Sequence, residues 1–70
     1  MVVSDIIEKT SDAVLVYAPA YNKTGVKYDG QTVKIGEYSK DTRPPYDIAN
    51  ANVQSVSNGK FNTLVVVADI

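Results

Sequence analysis

The side chains able to carry chemistry in this chain are few. There is no histidine and no cysteine. That removes the common nucleophile–base pairs and the imidazole and thiolate ligands of zinc and haem iron. The carboxylates are Asp5, Glu8, Asp12, Asp29, Glu37, Asp41, Asp47 and Asp69. Two of them facing each other across a cleft could hydrolyse a glycosidic bond, but a chain of 70 residues has little material for such a cleft. Each also has a plainer use. Asp29 precedes a glycine in a turn, and Asp5 and Asp12 suit a helix terminus or solvent. Asp41 and Asp47 flank a pair of prolines and suit side-chain-to-backbone turns. They lack the dense acidic spacing of a calcium loop. The glycines Gly25, Gly30, Gly36 and Gly59 form neither GxGxxG nor a phosphate-binding loop. The expectation is no catalytic residue, no metal and no cofactor.

Two constellations suit binding instead. The run "YSKDTRPPYD", Tyr38 to Asp47, fits neither helix nor strand. It sets Tyr38, Arg43 and Tyr46, residue types that dominate binding hot spots, around the stiff pair Pro44 and Pro45, which lose little entropy on docking. PxxP is absent, and Tyr46 directly follows Pro45, so the proline-ligand pattern PPxY is broken. The run is either a contact surface or a crossover in which Tyr38 and Tyr46 cover the end of the core. The second constellation is Lys27, Tyr28 and Lys34, a lysine–aromatic set of the kind that binds single-stranded nucleic acid on small barrels. A formal net charge of −1 argues against it, because phosphate neutralisation supplies most non-specific affinity.

The elements that must position these residues are mainly β. "GVKYDGQTVKIGEY" centres on Asp29-Gly30, a favoured two-residue hairpin turn. Closure there pairs Tyr28 with Gln31 and Val26 with Val33. Val26, Tyr28, Gln31, Val33 and Ile35 then fall on one face, and Lys27, Thr32 and Lys34 on the other. Asn58-Gly59 reads as a second such turn, pairing Val56 with Phe61 and Val53 with Leu64. "AVLVYAPAY" reads as a strand buried on both faces and ending near Ala18, since Pro19 cannot donate to a ladder. Thr63 to Ala68 reads as a buried central strand, and Val53 to Val56 as an edge open to strand addition. One to two helical turns near the N-terminus, capped by Ser4 or Asp5 with Glu8 at capping-box spacing, and one turn at "YDIANA" complete the reading. Ile48 anchors the latter. The fold expected is one small β-rich domain over residues 1–70: about five antiparallel strands, curled into a barrel or sandwich, with a short N-terminal helix.

A hydrophobic fraction of 44% with 21% charged residues is ordinary for a globular domain. So short a chain, with no disulfide, gains from burial against partners or copies of itself. The N-terminal residues resemble no secretory signal. The run Leu64 to Ala68 is too short to span a bilayer. An intracellular or virion-associated setting is the default expectation, as is no membrane partner. The glycosylation pattern at Asn22–Thr24 has no export signal to make it relevant. The function expected is a non-catalytic protein–protein interaction or assembly module, such as a small viral or phage accessory protein. The alternatives are an inhibitor of a host enzyme or a binder of single-stranded nucleic acid.

Overall fold

The computed structural model describes residues 1–21 and 27–70, with the side chains of 1–20 and 32–70. Helix α1 (Val3–Lys9) leads into strand β1 (Ala13–Tyr21), followed by β2 (Lys27–Tyr38), the single helical turn α2 (Tyr46–Ala49), β3 (Asn52–Asn58) and β4 (Thr63–Asp69). The strands form one four-stranded sheet in the order β2-β1-β4-β3. β1–β2 and β3–β4 are antiparallel, but the central pair β1–β4 is parallel. The fold is therefore mainly β, with an open mixed sheet in place of the expected five antiparallel strands closed into a barrel or sandwich. Two hairpins side by side account for the difference. Laying β4 against β1 buries the two most apolar strands in the centre, and that gain outweighs the preference for antiparallel neighbours.

The Asp29-Gly30 turn does not form. Both residues lie inside β2, which pairs with β1 through Val14↔Tyr38, Leu15↔Glu37, Val16↔Gly36, Tyr17↔Lys34, Ala18↔Val33, Pro19↔Thr32 and Tyr21↔Lys27. A turn dipeptide closing an isolated hairpin gives marginal stability. Pairing of β2 with β1 on either side of the dipeptide, at Thr32 and Lys27, overrides it, with a register shift in between. Val26 lies outside the described residues, as do Asn22 to Gly25. β1 also runs past Pro19. β4 accompanies it only from Ala13 to Tyr17, so the proline stands where β1 has β2 as its one described neighbour, the position in a sheet that tolerates a missing N–H.

The β3–β4 hairpin is present with a different register. Val56 faces Val66, Val53 faces Ala68, and Asn58 faces Leu64. Residues Gly59 to Asn62 form the connection. The Gly59 N–H donates to the Thr63 carbonyl at 2.8 Å, and the Thr63 hydroxyl donates to the Lys60 carbonyl at 2.6 Å. Phe61 and Asn62 both take left-handed backbone conformations, at φ 56° and 58°. This longer loop shifts the pairing expected from a two-residue turn.

The core lies on one face of the sheet. Val14 and Val16 of β1 and Val66 and Ala68 of β4 meet Val3, Ile6 and Ile7 of α1 and Ala51, with Tyr38, Ile48, Val53 and Leu64 packed around them. The i, i+3, i+4 spacing of the three α1 residues puts them on one helical stripe. Val2, not Ser4 or Asp5, is the residue before the first turn. Asp5 closes that turn from inside, its carboxylate accepting the Val2 N–H at 3.0 Å, and Glu8 is directed elsewhere. β4 is central, as expected. β1 is not equally buried on both faces: Val14, Val16 and Ala18 are buried, while Leu15 and Tyr17 are half-buried.

Candidate functional site

The segment 39–51 carries the chain from β2 at one edge of the sheet to β3 at the other. It crosses on the helical side, because Ala51 and Ile48 enter the core beneath it. A tight turn starts the crossing: the Ser39 N–H donates to the Thr42 carbonyl at 3.0 Å, and the Thr42 N–H donates to the Ser39 hydroxyl at 3.2 Å. Arg43 then reaches α1 and pairs with Glu8 at 2.7 Å. Both partners are more than half exposed, so the pair adds little stability. Pro44 is half-buried and Pro45 exposed. Pro45 leads into α2, where the Ala49 N–H returns to the Pro45 carbonyl at 2.9 Å. Tyr46 stands 82% exposed.

Tyr38 is placed differently from its loop neighbours. It belongs to β2 and packs on the core. Gly36 makes room for it: a Cβ at Gly36 would lie 2.6 Å from the Tyr38 hydroxyl and 2.8 Å from the ring. Of the sequence-derived contact set, Arg43, Pro44, Pro45 and Tyr46 thus lie in the crossover on the helical side, and Tyr38 packs on the core. Of the lysine–aromatic set, Lys34 is exposed on β2 opposite Tyr17. The side chains of Lys27 and Tyr28 lie outside the described residues.

The opposite face of the sheet holds further candidate residues that no motif in the sequence marks. Strand alternation sends Leu15 and Tyr17 of β1, and Val65 and Val67 of β4, away from the helices. The parallel register sets Leu15 beside Val65 and Tyr17 beside Val67. All four are half-buried. Among the described residues neither helix covers them, since the buried side chains of α1 and the core contacts of α2 lie on the other face. Ser57 and Ser55 of β3 flank the four on one side, and Glu37 and Lys34 of β2 on the other.

Phe61 stands at one end of this face and is 94% exposed. Leu15, Val65, Lys34, Glu37, Lys60 and Phe61 line a shallow groove of about 650 Å³. Left-handed backbone costs a bulky residue about 1–2 kcal/mol, and such strain clusters where a side chain must be presented. The signal was present in the alternation of "VLVY" and "LVVV", but continuous apolar runs read as strands buried on both sides.

The two sheet edges also differ. β2 carries the exposed charges Lys34 and Glu37, and a bulge between its pairings to Val16 and Tyr17. These features discourage edge-to-edge pairing. β3, "NVQSVSN", has no charge and no proline. Its first residues are covered by the N-terminus, with a Val2↔Asn52 bridge and a Val53 N–H donated to the Met1 carbonyl at 2.8 Å. Beyond them Gln54 to Asn58 are exposed.

Among the described residues no three carboxylates come together as a metal-binding group, and no helix is long and apolar enough to cross a membrane. No family model, no curated protein and no solved structure matches the chain.

Proposed function

We propose that this protein is a non-catalytic interaction module that docks onto another protein surface through the helix-free face of its sheet. The observation that carries the reading is the strained, exposed Phe61 beside an apolar patch of Leu15, Tyr17, Val65 and Val67. Contiguous exposed apolar patches rimmed by polar residues mark interaction sites, and aromatic side chains are frequent among binding hot spots. The shoulder of Arg43, Pro45 and Tyr46 on the helical side offers a second, smaller contact. Either suits a place in a larger assembly, including a viral or phage particle, or the inhibition of an enzyme by occlusion. A nucleic-acid surface on Lys27, Tyr28 and Lys34 has weaker support, because Lys34 shares its face with Glu37 and the chain is net acidic.

The test is site-specific photo-crosslinking in an extract of the source cells, with the crosslinker placed in turn at Phe61 and Tyr46. A discrete protein adduct from position 61 is expected. Adducts from neither position, or adducts to nucleic acid alone, would remove the proposal.

A further inference from the structure

We infer that the occupant of the helix-free face is a second copy of this chain, packed face to face about a two-fold axis. The inference rests on the docking face proposed above and adds the partner. It comes from the order of residues across the sheet. One row reads Glu37–Leu15–Val65–Ser57, and the next row on the same face reads Lys34–Tyr17–Val67–Ser55. An axis lying in the interface, perpendicular to the strands and between these rows, maps each row onto the other. Glu37 then meets the second copy's Lys34, and Lys34 its Glu37. Leu15 covers Tyr17, Val65 covers Val67, and Ser57 covers Ser55. Every position meets a complementary one, as an isologous contact requires. Neither Lys34 nor Glu37 belongs to the ion pair found among the described residues, Arg43–Glu8.

Four strands about 4.8 Å apart and seven residues of about 3.3 Å each give a footprint roughly 20 Å square. Two such faces bury roughly 800 Å² in total, short of the ~1,000 Å² of a stable specific interface and in the range of a weak, transient one. The dimer is accordingly weak and forms only at high concentration. Phe61, at the end of the face, extends the contact beyond the four central side chains.

The test is sedimentation equilibrium of the purified chain from ~5 µM to ~1 mM at low salt, with folding of each variant checked by circular dichroism. The wild type reaches a dimer and no larger species. Lys34→Glu alone places two acids together at both symmetric positions, and Glu37→Lys alone places two lysines together. Each weakens the dimer by about tenfold. The double variant Lys34→Glu/Glu37→Lys restores it. An equimolar mixture of the two single variants forms a one-to-one heterodimer. A wild type that stays monomeric to ~1 mM overturns the inference, as does a dimer indifferent to the single swaps or unrestored by the double one. A monomer that still gives crosslinks from position 61 to a different protein would leave the docking face standing and remove only the second copy.

Discussion

Phe61 takes a backbone conformation that glycine and asparagine accept and a large aromatic residue resists. Its side chain gains nothing from the fold, being almost fully exposed. Phe61→Gly should therefore relieve the strain and raise stability by about 0.5–1 kcal/mol. Chemical denaturation at a few micromolar, where self-association is negligible, reads that change. The same variant should associate less well at high concentration. A loss of stability would show that Phe61 supports the loop instead of being presented by it. Little of this was legible beforehand, because "NGKFN" supplies a turn dipeptide at its start and gives no sign that the reversal would run on through Phe61. The Arg43–Glu8 contact was equally hidden: it links residues far apart in sequence, and only the crossing of α1 by the 39–51 segment brings them together.

The elements were easier to read than their partners. Both long apolar strands, the helical turn at Tyr46–Ala49 and the short N-terminal helix appear where composition places them. Pairing was the part that local chemistry could not decide. Asp29-Gly30 is a good turn in isolation, yet both residues fall within β2, which pairs with β1 on either side of them, at Thr32 and Lys27, with a register shift in between. Gly59 shows the other side of turn chemistry. It is needed for space, since an added Cβ would collide with the Thr63 hydroxyl and crowd Val65. Gly59→Ala should displace Thr63, break its bond to the Lys60 carbonyl and cost about 1–2 kcal/mol. A lower urea midpoint at unchanged slope is the expected result; an unchanged midpoint would mean that the hairpin does not depend on this contact. The contact run at 38–47 now has a structural duty as the crossover, which accounts for its length without assigning its exposed half a partner.

At the scale of the molecule, the helices and the sheet make a two-layer arrangement whose sheet keeps one face open. With 70 residues, total stability of roughly 3–10 kcal/mol leaves little margin, so covering the second face has value for folding as well as for assembly. The composition already pointed to partners or copies as a source of burial, but it could not indicate the surface. That depended on the parallel β1–β4 register, which aligns Leu15 with Val65 and Tyr17 with Val67. The most direct test is a heteronuclear NMR concentration series from ~10 µM to ~1 mM. Shifts confined to the helix-free face, at Leu15, Tyr17, Lys34, Glu37, Ser55, Ser57, Phe61, Val65 and Val67, are the predicted result. Shifts clustered instead on Arg43 to Tyr46 or along Gln54 to Asn58, with the helix-free face unchanged, would contradict it.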